Sequence, residues 1–121
     1  YTGRKLIDDL DAKGSLEVLW DPANNCWCHE RAFPAGYEEV KDGYLGHVHI
    51  KDVQVDTPRA TLEVRRMGEG QLADQFQPMA DAMRADGYTG VISFESVYHP
   101  GNGNFEDGFR QSIGLFKSLF E

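Results

Sequence analysis

The stretch Gly46-His47-Val48-His49-Ile50-Lys51-Asp52 alternates polar and apolar residues, and this constrains the fold more than any other feature of the chain. A period of two belongs to a β-strand. It predicts a strand over 45–51 with His47, His49 and Lys51 on one face, and Val48 and Ile50 on the packed face. Such a strand either presents chemistry at its tip or carries histidines satisfied by ordinary structural hydrogen bonds. The strand alone leaves both readings open.

Its neighbours in sequence extend the pattern. Residues 16–20 read as a strand with Leu16, Val18 and Trp20 on one face, ending at Asp21-Pro22 because proline cannot continue a ladder. Residues 21–25 then form a loop at that strand's tip. Residues 91–95 read as a third strand, with Ile92 and Phe94 opposite Ser93 and Glu95. Between the strands lie helical patterns. One covers 2–13, with Leu6, Ile7 and Leu10 on one side and Gly14 as its stop. Another covers 34–43, with Tyr37 and Val40 inward. A third covers 72–86, with Leu72, Phe76, Met79, Ala80 and Met83 at helical spacing, where Pro78 marks either a kink or a later start. The last covers 105–120, carrying Phe109, Ile113, Phe116, Leu119 and Phe120. Residues 53–55 and 61–64 pair as a hairpin around Thr57-Pro58, Gly68-Glu69-Gly70 is a tight loop, and 99–104 is a glycine-rich loop. Strands alternating with helices imply an α/β fold with a parallel sheet and right-handed crossovers, in a single domain over 1–121.

Composition narrows the function. A net charge of −8 with no basic patch speaks against nucleic acid as a partner. No apolar run approaches the roughly 20 residues a membrane span needs, and no signal-peptide layout is visible, so no membrane partner is expected. Cys26 and Cys28 flank Trp27 too closely for an ordinary structural disulfide, which makes a reducing, cytoplasmic setting the default. Followed by His29 they suggest zinc, but no second cysteine pair completes that pattern. The chain opens at Tyr1 without a methionine, as a processed chain or a fragment would.

Each of the three strands ends in a side chain able to bind a metal: Asp21, His49 and Glu95. If the strands are parallel neighbours, the three converge at one C-terminal rim, where a β/α barrel carries its active site. Two carboxylates and an imidazole suit Mn²⁺, Mg²⁺ or Co²⁺, with Zn²⁺ a further candidate. The alternative is three unrelated polar strand ends.

Trp20-Asp21-Pro22-Ala23-Asn24, His47-Val48-His49-Ile50-Lys51-Asp52, Gly68-Glu69-Gly70, Gly87-Tyr88-Thr89-Gly90 and Ile92-Ser93-Phe94-Glu95 occur in the order and spacing of one known family. On these pieces the chain resembles the C-terminal part of the xylose isomerase-like TIM barrels, the sugar phosphate isomerases and epimerases. The resemblance implies a partial (β/α)8 barrel made of its last three parallel strands with flanking helices, since a whole barrel takes about 250 residues. It implies Asp21, His49 and Glu95 as metal ligands. A fourth ligand, a glutamate on the preceding strand, has no counterpart in this sequence. The implied reaction is isomerisation or epimerisation of a sugar or sugar phosphate by proton abstraction next to a carbonyl, with Glu95 as acid/base as well as ligand.

Asn24, His47 and Lys51 are expected at the rim as substrate contacts. Structural hydrogen bonding is the alternative for Asn24 and His47, and pairing with Asp52 or a nearby carboxylate the alternative for Lys51. Trp27 and Tyr98 either stack on a sugar face or simply pack. Rival functions are a polyol or inosose dehydratase of the same family, an endonuclease-IV-like phosphodiesterase, or an inactive truncated module. The open edges of a cut barrel imply a homo-oligomer.

Overall fold

The computed structural model describes residues 2–121. Helix α1 (Thr2–Asp9) leads into strand β1 (Val18–Trp20), followed by α2 (Pro22–Trp27), an irregular turn over Ala32–Gly36 and the short α3 (Tyr37–Val40). Strand β2 (Leu45–Ile50) runs almost directly into a hairpin, β3 (Asp52–Asp56) and β4 (Thr61–Arg65). Helix α4 (Phe76–Ala85), strand β5 (Val91–Phe94) and helix α5 (Phe105–Phe120) complete the chain.

Strands β1, β2 and β5 form one parallel sheet in that order, with β2 in the middle. Consecutive parallel strands need crossovers, and the helices between them supply these. The sheet does not close, so among the described residues the architecture is an open, partial barrel. The hairpin β3–β4 is a separate antiparallel pair, with Val53 opposite Val64 and Val55 opposite Leu62.

The alternation in β2 works as its period implies. Val48 and Ile50 are fully buried while His47 and His49 stay partly open on the other face. Their buried side joins Phe76, Met79 and Met83 of α4, Phe116 and Leu119 of α5, and Tyr37 and Val40 of α3 in one core. Helix α5 begins with a reciprocal cap in which Asn104 accepts from the Asp107 amide and Asp107 accepts from the Asn104 amide.

Several boundaries differ from the sequence expectation. Residues 21–25 are not a loop: Asp21 caps α2 and Pro22 occupies its first turn, where the missing N–H costs nothing. The helix expected over 34–43 shortens to α3, because Phe33 and Lys41 are extended and Asp42 and Gly43 take positive φ. The helix expected over 72–86 begins at Phe76, which puts Pro78 in the first turn and removes any need for a kink. The helix expected over 2–13 stops at Asp9, and of its three apolar residues only Ile7 is buried. Leu6 and Leu10 face outward because nothing among the described residues covers that side of α1. Strand β1 likewise starts at Val18, leaving Leu16 exposed.

Among the described residues both sheet edges are unpaired. Leu19 on β1 is 50% exposed and Val91 on β5 is 59% exposed. A cavity of about 600 Å³ opens along the β1 edge, between α1, β1, α2 and the turn that follows.

Candidate metal centre

The strand tips converge. One ligand atom each from Asp21, His49 and Glu95 lies within 4.8 Å of the others, and no other such group of three occurs among the described residues. Parallel pairing produces this meeting. Trp20 pairs with Val48, and His49 and Ile50 pair with Ser93 and Phe94, so residues just past or near the strand ends share one rim. The Glu95 amide extends the ladder by donating to the Ile50 carbonyl at 2.9 Å.

Asp21 does two jobs. Its Oδ1 accepts from the amides of Ala23 at 2.9 Å and Asn24 at 3.1 Å, fixing the start of α2. Its Oδ2 accepts from Lys51 Nζ at 2.6 Å. Glu95 Oε2 accepts from the same Nζ, also at 2.6 Å, and lies 3.7 Å from His49 Nδ1. Asp21 is buried, whereas the Glu95 side chain is 33% exposed.

These charges tune one another. Burial pushes the Glu95 carboxyl up, but the Lys51 hydrogen bond and charge outweigh it and hold the group below its ordinary range. Burial depresses the Lys51 ammonium, but the two carboxylates reverse that and hold it above its ordinary value. The site thus gathers two carboxyl groups around one ammonium.

Lys51 is therefore not open to the rim as expected. It is 5% exposed and bonded to two carboxylates, with the Trp27 ring centroid 5.2 Å from its Nζ. Of the alternatives, pairing with a nearby carboxylate is the one seen, and Asp52 is not that partner. Trp27 meets the ammonium with its ring while staying exposed to solvent. Asn24 is exposed and lines the β1-edge cavity. His47 forms a hydrogen bond between Nε2 and Ser93 Oγ at 2.7 Å and meets His49 edge to face, with ring centroids 4.8 Å apart. The cysteines stand apart from the cluster: Cys26 is buried, Cys28 is exposed, and both are free thiols.

Two supporting devices have no obvious local signal. Asn25 accepts from Trp20 Nε1 at 2.7 Å and donates to Glu30 at 2.7 Å, which ties α2 to β1. Asp52 accepts four backbone amides, from Val53, Gly68, Gly70 and Leu72. The Gly68-Glu69-Gly70 amides at 68 and 70 are therefore spent on a carboxylate of the chain itself. A Cβ on Gly70 would lie 2.3 Å from Asp52 Oδ1 and 2.6 Å from the Val53 carbonyl oxygen, so glycine is required there.

The donor chemistry fits a divalent ion. Two carboxylates and an imidazole share one rim, and a cation, the Lys51 ammonium, already sits between the carboxylates.

A parallel strand–helix alternation whose tips gather Asp, His and Glu at the C-terminal rim defines a segment of a β/α barrel. The model of the family described as xylose isomerase-like TIM barrel matches residues 2–119, and the chain belongs to that family. The family includes sugar isomerases and epimerases and endonuclease IV-like enzymes, mostly acts on sugars, and often uses divalent metals. Neither a curated protein nor a solved structure matches the chain. No helix among the described residues is long and apolar enough to cross a membrane.

Proposed function

We propose that the chain is the C-terminal portion of a barrel that isomerises or epimerises a sugar or sugar phosphate by moving a proton next to a carbonyl. The observation that carries this reading is the meeting of Asp21, His49 and Glu95 at one rim within 4.8 Å. These three residues would hold a divalent ion, Mn²⁺, Mg²⁺ or Co²⁺ by donor hardness, which when bound supplies Lewis-acid polarisation of the carbonyl.

The remaining roles belong to the chain. Glu95 is the more open of the two carboxylates, so it takes and returns the proton. In the metal-free site the Lys51 hydrogen bond and charge hold its carboxyl below the ordinary range, against the opposing effect of burial. His47, steadied by Ser93, and Asn24, exposed beside Asp21, would meet substrate hydroxyls. Asp21 anchors the rim by locking one oxygen into the start of α2.

A second reading has its own support: the 121 residues alone bind metal through three donors and do not turn over. Among the described residues both edges of the sheet are unpaired, and the β1 side of the site opens into a cavity. Bare parallel edges also favour self-association, which we propose for the isolated chain. Sedimentation equilibrium is expected to show a dimer or larger species, and a strict monomer at high protein concentration would overturn that.

The function is tested in two stages. Calorimetry with Mn²⁺ should show binding that His49→Ala abolishes. A barrel completed by further strands should then exchange deuterium from D₂O into the carbon beside the carbonyl of a ketose or ketose phosphate, and Glu95→Gln should remove the exchange. Metal binding indifferent to His49→Ala overturns the site, and a completed barrel that exchanges no ketose tested overturns the reaction.

A further inference from the structure

The two oxygens of Asp21 are not equivalent. Oδ1 is committed to the amides of Ala23 and Asn24, and moving it would uncap α2. Only Oδ2 faces the rim, and Lys51 Nζ holds it at 2.6 Å. A divalent ion drawn to Asp21, His49 and Glu95 needs that same oxygen. It also meets a like charge, because the ammonium that holds Oδ2 holds Glu95 Oε2 as well.

We infer that Lys51 is an internal counter-cation that exchanges with the divalent ion: the ammonium and the metal compete for Asp21 Oδ2, and one enters as the other leaves. The inference rests on the metal reading above and adds to it a residue that sets how tightly the ion is held. Without metal, Lys51 keeps two close carboxylates from repelling each other and so keeps the rim assembled. With metal, that role passes to the ion. The exposed indole of Trp27, 5.2 Å from the ammonium, provides an aromatic face at the mouth of the site for the displaced cation.

The exchange makes Lys51 unusual among the lysines, since its accessibility must depend on metal. Reductive methylation of the wild-type chain, read by mass spectrometry, tests this without any substitution. Lys51 should be protected in the metal-free chain and become methylated at saturating Mn²⁺, while the exposed Lys5 reacts equally in both. Lys51 that stays protected at saturation overturns the exchange. Calorimetry gives the second arm: Lys51→Met should bind Mn²⁺ at least tenfold more tightly than wild type, and equal or weaker binding overturns the competition. His49→Ala separates the two ideas. Wild-type binding that His49→Ala abolishes, with no gain in Lys51→Met, sinks the exchange and leaves the metal site standing. Wild-type binding unchanged by His49→Ala sinks the metal site itself, and an absence of binding in all three chains sinks both.

Discussion

Lys51 and Asp52 are neighbours in the chain, opposite in charge and both buried, yet they do not pair. Successive residues at the end of a strand point to opposite sides, so Lys51 turns to the sheet's open face and Asp52 to the hairpin and glycine loop. Each solves the problem of a buried charge differently. Asp52, 1% exposed, is surrounded by four backbone amides from Val53, Gly68, Gly70 and Leu72. Those donors are part of the fold and cannot leave. Lys51 is surrounded by two side-chain carboxylates, one of them a third exposed, and side chains can change partners. The first arrangement is a structural staple, and the second is an exchangeable one suited to a site. Burial alone does not separate a structural charge from a functional one; the mobility of its partners does.

The sharpest way to break this contrast is Asp52→Ala. It strands four amide donors at once, at about 1–3 kcal/mol for each buried donor left unmet. Because the loop relaxes, the loss should come to about 4 kcal/mol in urea unfolding, and Mn²⁺ should not restore it. Gly70→Ala attacks the same staple from the other side. The new methyl would stand 2.3 Å from Asp52 Oδ1 and against the Val53 carbonyl, so about 3 kcal/mol is expected, the upper end for overpacking. A Gly70→Ala chain as stable as wild type would show that the staple is loose.

Lys51→Met probes the other arrangement. Removing one partner of a fully buried ion pair costs about 3–5 kcal/mol, and the exposure of Glu95 lowers this to about 2 kcal/mol. Here Mn²⁺ should recover the loss, since the ion takes the cation's place. A loss that Mn²⁺ cannot recover would make Lys51 as structural as Asp52 and erase the distinction.

How legible this was in the sequence follows the range of each interaction. The phase of β2 can be read from Val48 and Ile50 because a period of two is local, and the parallel order then brings Asp21, His49 and Glu95 to one rim. The hairpin, the core face of α4 and the span of α5 are legible for the same reason. Helix α2 was hidden because Asp21-Pro22 is both a proper strand end and a proper cap with a first-turn proline; the two readings share the same residues. The partner of Lys51 was hidden because Asp21 and Glu95 lie 30 and 44 positions away, whereas Asp52 lies next to it. The role of Gly68 and Gly70 depends on a carboxylate 16 and 18 positions earlier. Leu6 and Leu10 carry a helical period whose covering surface is not among the described residues, so periodicity places them on one side without telling which of them is buried.

Asp86 adds the mildest case to the comparison, a half-exposed carboxylate held by one phenol. Tyr37, buried in the core, donates to Asp86 Oδ2 at 3.0 Å, and Lys41 stands 3.7 Å from the same oxygen. Burial, then the Asp86 hydrogen bond and charge, push the Tyr37 hydroxyl well above the ordinary 10.0 of a phenol. The folded chain therefore keeps this proton at a pH where the unfolded chain has lost it. The resulting stability is present in full below about pH 10 and declines as pH rises toward the folded value. Tyr37→Phe should lose about 1 kcal/mol at neutral pH and should flatten the decline between pH 9 and 11. Tyr88, also raised by burial, remains in both chains and cancels from the difference. Parallel unfolding curves for the two chains across that range would mean that the phenol is free to ionise in the fold, and that Asp86, unlike Asp52 and the Asp21–Glu95 pair, has no partner the fold depends on.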